Sequence, residues 1–416
     1  MAAASGTSRI AFTYPSFTLY QVARFCIVLA TEMQSVAVGW QVYEITRRPL
    51  DLGLVGLAQF LPGIIFLPLS GHVADRYHRS KVLTMGYAAL AVCSALLLAY
   101  TLRGSRLVYP IYVVVGLIGV ARAFTGPASR AILPLLIPEE HFEGAFAWGA
   151  TIFQTATILG PAVGGVVYTI FRGPAAVYAL AMAGGVCGAL AMTRVHLAPR
   201  KRPLEPVNWK TVFAGLHYIW RQKLILGSIS LDLFAVLLGG AVALLPVYAR
   251  EILMTGPWGL GLLRCAQAVG AGAMAIVLVH RPLGGRAGMK MLWCVAGFGV
   301  CTILFGISHS LALSIAALIF VGATDMVSVV VRGVWIQLGT PDEMRGRVNA
   351  VDMIFIGSSN ELGAFESGAT AALFGTVRAV VLGGIGTLVV TGLWAWMFPE
   401  LRKADQLVAP RPDPKT

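Results

Sequence analysis

Charge is what this chain has least of. Only 12% of its 416 residues are Asp, Glu, Lys or Arg, about half the share of an ordinary soluble domain. That shortage excludes a water-soluble enzyme or binding module. Acids are scarcest: 19 Asp and Glu stand against 32 Lys and Arg, for a net charge of +13. In a soluble protein such an excess would point to nucleic acid. Here the basic residues fall mostly in alternate loops, where they orient membrane helices and meet anionic lipid, so no nucleic-acid partner is expected. Cys26, Cys93, Cys187, Cys265, Cys294 and Cys301 all lie in apolar runs and none forms a C-x2-C pair. A zinc or redox site is therefore not expected, and the thiols read as small packing groups. No G-x4-G-K-[ST] loop occurs, which argues against ATP-driven pumping. The seven histidines are scattered near loops with no nucleophile–base–acid set, so neither an enzyme nor a cofactor or metal site is expected.

What the chain has instead is hydrophobic length. Apolar residues make up 57% of it and the mean hydropathy is +0.76. Runs of about 20 apolar residues, each able to cross a hydrocarbon core, recur throughout. In lipid a segment must satisfy its own backbone hydrogen bonds, so these runs are expected to be helices. Twelve spans are expected at 17–42, 52–74, 81–101, 108–133, 142–171, 174–194, 223–249, 257–279, 288–308, 311–338, 346–374 and 377–398. The first has no cleavage site and is too long for a signal-peptide core, so it reads as a retained span. Residues 196–222, headed by Pro199-Arg200-Lys201-Arg202-Pro203, are too polar to span and read as a linker with a short surface helix. They separate an N-terminal six-helix bundle (1–195) from a C-terminal one (223–400), with a tail at 401–416.

The segments around Arg76–Lys81, Arg194–Lys223, Arg281–Lys290 and Arg345–Arg347, with the tail, hold about twenty basic residues; the alternate loops hold about seven. The positive-inside rule puts the richer set, the linker and both termini in the cytoplasm, with the protein in the cell (inner or plasma) membrane.

The two halves repeat. Pro138-Glu139-Glu140, Ala147, Leu159-Gly160 and Gly165 match Pro341-Asp342-Glu343, Ala350, Leu362-Gly363 and Gly368 at a constant offset of 203 residues. Both copies enter their span from the same side, so the repeat is parallel rather than inverted.

Particular motifs carry a family resemblance. The loop between spans two and three reads G-x3-D-R-x2-R-x-K, from Gly71 through Asp75, Arg76 and Arg79 to Lys81. It resembles the signature loop of the major facilitator superfamily. The fifth span carries Gly160-Pro161-Ala162-Val163-Gly164-Gly165, which resembles the G-P-x-x-G-G element of that superfamily's antiporters. Proline there removes a backbone donor and kinks the helix, while the glycines permit close packing. Gly39–Thr46, Leu61-Pro62, Arg130–Pro134 and Arg345–Val348 resemble the drug/proton antiporter branch that includes macrolide-efflux and enterobactin-exporter proteins. The resemblance covers all twelve spans. It implies an all-α fold of two pseudo-symmetric six-helix bundles, with Asp75 and Arg76 as part of a cytoplasmic latch. His78 and Ser80 depart from the usual loop, and the loop from Arg281 to Lys290 has no acid to mirror it. A purely topological basic loop and a generic kinked packing helix stay open as alternatives.

Ionisable groups inside spans cost at least ~2.5–3.5 kcal/mol each at the bilayer centre, so they should face a cavity or a partner. Spans three, six, nine and twelve have essentially none, which fits the peripheral, lipid-facing position that the resemblance implies for every third helix. Others carry Arg24 and Glu32, Arg122, Asp232, Asp325 and Arg332, and Glu361 and Glu366. Helical spacing aligns Arg24, Val28, Thr31, Glu32 and Ser35; Arg122, Thr125 and Ser129; Asp325, Ser328, Arg332 and Trp335; and Asp352, Ser359 and Glu366. These stripes would converge on a polar cavity that takes substrate, with Arg24, Glu32, Arg122, Asp325, Arg332, Trp335 and Glu366 as its candidate lining. Glu32, Asp232 and Asp325 are the candidate proton carriers, because a carboxyl alternating between apolar surroundings and an arginine can load and release a proton. Arg24 and Arg332 could instead snorkel or form buried pairs, and Glu361 and Glu366 could be structural.

The expected function is a secondary, proton-coupled exporter of a small amphipathic molecule, working as a monomer in the bilayer by alternating access. An importer or uniporter of the same fold, or a non-transporting sensor or scaffold, are the rivals.

Overall fold

A computed structural model describes residues 10–66, 69–70, 73, 77–197, 209–281 and 283–404. Regular structure among them is helical throughout. Ten of the described helices are long and apolar enough to cross a bilayer. They are the first span Pro15–Thr46, the third Arg79–Leu102, the fourth Tyr109–Ile132, the fifth Phe142–Ile170 and the sixth Ala175–Thr193; then the seventh, opening with Lys223–Gly239, the eighth Gly256–His280, the ninth Ala287–Ile307, the tenth Leu311–Gly339 and the twelfth Thr376–Met397. The second, Pro49–Ile65, is apolar but 17 residues long as described. The eleventh, Asp342–Phe374, has 33 residues and is the most polar of the set.

The seventh span is less regular than its apolar run implies. Its α-helix stops at Gly239, passes through a short 3-10 turn at Ala241–Leu244 and ends in a π-turn at Tyr248–Ile252. Adjacent glycines lower the helix preference there, and Pro246 lacks a backbone donor. The carbonyl of Gly240, freed by the break, accepts a bond from Ser367 Oγ at 3.1 Å, as a backbone group at membrane depth requires.

The helices that lack internal charge carry large exposed apolar side chains: Met85 is 72% exposed, Leu190 63%, Trp293 73% and Trp396 75%. A surface of this kind suits lipid. Between the sixth and seventh spans, the surface helix Trp209–Arg221 is fastened by Ile219, buried with Ile225, Ile336 and Val348, and by Tyr218 Oη donating to the Gly339 carbonyl at 3.2 Å.

The parallel repeat is realised in packing. Span one packs on five and six, and seven on eleven and twelve; three packs on four and six, and nine on ten and twelve. Equivalent glycines make equivalent approaches. A Cβ on Gly160 would meet the Leu29 carbonyl of span one at 3.2 Å, and one on Gly363 would meet the Leu237 carbonyl of span seven at 3.0 Å. Small residues let the backbones come that close.

Two compact units result, one of Met1–Arg47, Ala58–Pro206 and Thr255–Cys265, the other of Arg48–Leu57, Val207–Met254 and Ala266–Thr416. The first turns of the second and eighth spans are thus exchanged reciprocally.

In the first of these units, Gln41, 7% exposed, ties three spans together. Its amide accepts from Tyr178 Oη at 2.7 Å and donates to Thr101 Oγ1 at 3.1 Å. Gln41→Ala leaves a fully buried tyrosine hydroxyl without its acceptor. We expect a loss of about 1–3 kcal/mol, read as a lower melting temperature in detergent, whereas Gln41→Glu should recover part of it.

Candidate transport site: charged side chains within the spans

The stripe on the tenth span faces the helices of its own unit. Arg332, 2% exposed, forms an ion pair with Asp232 of span seven and another, at 3.3 Å from its Nε, with Asp352 of span eleven. Ser328 Oγ adds a bond to Asp232 Oδ1 at 3.1 Å. Two carboxylates and one guanidinium, all buried, therefore join spans seven, ten and eleven. Asp325, one turn before Ser328, lines a small cavity with Asp232, Ser328, Thr324, Val295 and Phe298. Trp335 lies one turn beyond Arg332, fully buried among Leu231, Met291, Leu292 and Val331 in the apolar core. Glu366 is half-buried and its Oε1 accepts from Thr370 Oγ1 at 2.7 Å.

The first unit distributes its charges differently. Glu32 is half-buried on span one, with no hydrogen-bond or ion-pair partner among the described residues. Its side chain lies against the kink of span five: a Cβ on Gly160 would have Glu32 Cγ at 3.4 Å, and Gly164 abuts the Met33 backbone. On the other face of the same kink, Pro161 and Gly165 lie against Gly261 of span eight. One turn further along span eight, Arg264 Nη1 donates to Ser35 Oγ at 2.5 Å, joining the Glu32 stripe. Arg24 is half-buried and Arg122 exposed, and neither has a carboxylate partner among the described residues.

Arg264 lies on none of the stripes read from the sequence, and Asp352 lies on one but outside the candidate lining. A signal for Arg264 exists in the sequence. Pro49-x3-Gly53, with Ala58-Gln59, matches Pro257-x3-Gly261, with Ala266-Gln267, at an offset of 208 residues, and that alignment sets Arg264 opposite Gly56. A cation in one copy where the other has glycine marks a break in symmetry. The place of the missing side chain at Gly56 is partly taken by Glu361, whose Oε2 would lie 3.2 Å from a Cβ there.

Of the signature loop, Gly71, Asp75 and Arg76 lie outside the described residues. Arg79 opens the third span and is 6% exposed, while Lys81 is exposed.

The profile of a family described as "transmembrane secretion effector", within the major facilitator superfamily, matches residues 8–413. The enterobactin exporter of Shigella boydii serotype 4 is 26% identical over 408 residues, covering 95% of this chain and 94% of that one. The enterobactin exporter of Escherichia fergusonii is 26% identical over 409 residues, with the same coverage. Among solved structures, a variant of the nucleoside transporter NupG superposes with a TM-score of 0.74 at 11% identity, over 92% of this chain and 100% of that one. A bacterial homologue of the lysosomal transporter Spinster, inward-facing and unoccupied, gives 0.72 at 12%, over 94% and 98%. A D-xylose–proton symporter gives 0.68 at 16%, over 92% and 98%. These likenesses establish the fold.

Proposed function

The chain belongs to the transmembrane secretion effector family of the major facilitator superfamily, and on that premise we propose that it exports a small amphipathic molecule from the cytoplasm in exchange for protons. It is a multi-pass membrane transporter of small molecules and not an enzyme. Export is favoured by the named function of the enterobactin exporters that it resembles. The observation that carries the proton coupling is Glu32, a carboxyl without a counter-ion among the described residues, set against the Gly160–Pro161 kink.

In this reading the two six-helix halves, 1–195 and 223–400, rock about a central site, with both termini on the cytoplasmic side of the inner membrane and a monomer as the working unit. Glu32 takes a proton from outside and releases it inside. The kink beneath it transmits the change, because moving Glu32 must move the Gly160–Gly164 face that abuts it. Asp325 is the second candidate carrier; Asp232 is already held by Arg332. The burial of Arg79 at the head of span three supports a latch role for the loop that holds Asp75 and Arg76, since a basic residue needed only for orientation would stay in water. A potential of ~100 mV supplies about 2.3 kcal/mol per charge and each pH unit about 1.4 kcal/mol more. One proton can therefore support a substrate gradient of roughly two or three decades.

The test is an energised inverted vesicle loaded with a pH-sensitive dye and challenged with a panel of amphipathic drugs and siderophore-like compounds. At least one should collapse the proton gradient. Glu32→Gln should abolish that collapse while leaving gradient-independent exchange of the same compound in place. A panel that never dissipates the gradient, or a Glu32→Gln protein that couples normally, removes this reading.

A further inference from the structure

We infer that the cytoplasmic third of span one carries an anion-binding subsite, centred on Arg24, that selects substrates bearing a carboxylate or similar acid beside an aromatic ring. The inference deepens the export reading and rests on it only for the identity of the cargo.

The observations concern a few side chains. Arg24 lies nine residues into a helix that begins at Pro15, ~14 Å along its axis. That is too deep for the guanidinium to be idle, yet its hydrogen bonding among the described residues is one long bond, from Nη1 to the Gly149 carbonyl at 3.4 Å. Its guanidinium carbon lies 5.1 Å from the centre of the Phe153 ring, which is 42% exposed and forms an open shelf. Beneath it, Gln21 is 2% exposed, and neither amide atom has a hydrogen-bond partner. The Gln21 amide and the Arg24 guanidinium converge on one point of span five: a Cβ on Gly149 would have Gln21 Nε2 at 3.1 Å and Arg24 Nη1 at 3.3 Å. Tyr20 is committed elsewhere, bonded to Ser129 at 2.8 Å.

A cation in a membrane span is normally matched by a carboxylate, as Arg332 is in the other unit. Arg24 has none among the described residues, so none of them balances its charge. Buried polar atoms without partners mark a site whose complement is missing. Guanidinium donors suit a planar acid bidentately, and Arg24 already lies over the Phe153 ring, whose exposed part is left for an aromatic neighbour of that acid. Gln21 is a positioning residue: it sits under Arg24 and would take up bonds when the guanidinium turns toward a ligand.

The test uses purified full-length protein and two isosteric probes of opposite charge, 2-naphthoate and 2-naphthylmethylammonium, with binding read by thermal shift and calorimetry. Naphthoate should bind and the ammonium should not. Arg24→Gln should weaken naphthoate by about tenfold to a hundredfold, the value of one charge-assisted contact, and Arg24→Lys should lose less. Should Arg24→Gln fail to fold, Gly149→Ala serves in its place, because the added methyl crowds both polar heads; it should also weaken naphthoate. Equal binding of the two probes, or naphthoate affinity unchanged in a folded Arg24→Gln or Gly149→Ala protein, overturns the subsite. Because binding is read without a proton gradient, naphthoate binding in a protein that exports nothing would sink the export reading and leave this one standing.

Discussion

Arg332→Ala is expected to lose about 3–5 kcal/mol of stability, because it strands two buried carboxylates, Asp232 and Asp352, without their cation. The mutant should be extracted from membranes in low yield and give a broadened, early-eluting peak in detergent. The control separates the charge from the pair. Removing all three charges together, as Asp232→Leu, Arg332→Met and Asp352→Leu, replaces the triad with apolar residues of similar size, and such replacements are commonly neutral or stabilising. The triple variant should therefore recover the melting temperature that the single variant loses. An Arg332→Ala protein that melts with the wild type would show that water reaches the triad. A triple variant that folds but no longer couples proton and substrate would assign the triad to transport as well as to structure.

The second large effect is expected at the helix crossings. A Cβ on Gly261 would lie 2.5 Å from the Pro161 carbonyl, and one on Gly53 would lie 3.0 Å from the Ala364 carbonyl. Both obstacles are backbone, which cannot turn aside, so Gly261→Val must push spans five and eight apart. Overpacking of this kind costs about 1–3 kcal/mol, equivalent to about a fivefold to hundredfold shift between two conformations. Ser35 sits at that crossing, bonded to Arg264, so Ser35→Cys in a cysteine-free background reports its opening. The rate of labelling by a membrane-impermeant maleimide should rise in Gly261→Val by that factor. Gly53→Val, with the looser contact, should disturb its crossing less. Unchanged labelling in Gly261→Val would mean that the crossing yields locally without separating the helices.

The glycine pairs show where sequence reading succeeds. The repeat that relates Gly165 to Gly368 is visible as an exact register of small residues, and in the fold each lies against the corresponding residue of its partner span, Gly261 or Gly53. The second register, which aligns Pro49 and Gly53 with Pro257 and Gly261, was equally available. Together the two registers locate both crossings and mark Arg264. Helical striping was less informative. It grouped Asp325, Ser328, Arg332 and Trp335 correctly on one face, but it could not say what that face meets. The same spacing describes a cavity wall and a bundle interior.

What the sequence determined by itself was the class of the protein, its spans, the repeat between its halves and the family to which it belongs. Those are local properties: in lipid each segment must close its own hydrogen bonds and match the bilayer in length, so hydropathy marks most of them, the polar eleventh, Asp342–Phe374, being the exception. Only the tertiary structure decided which charges neutralise one another. Arg332 finds Asp232 and Asp352 across three spans, and Arg264 reaches Ser35 across 229 positions of sequence, while Arg24 and Glu32 find no counter-ion among the described residues. Pairing depends on the rotation and depth of whole helices. These are fixed by the sum of many small packing contacts rather than by any residue that carries the charge.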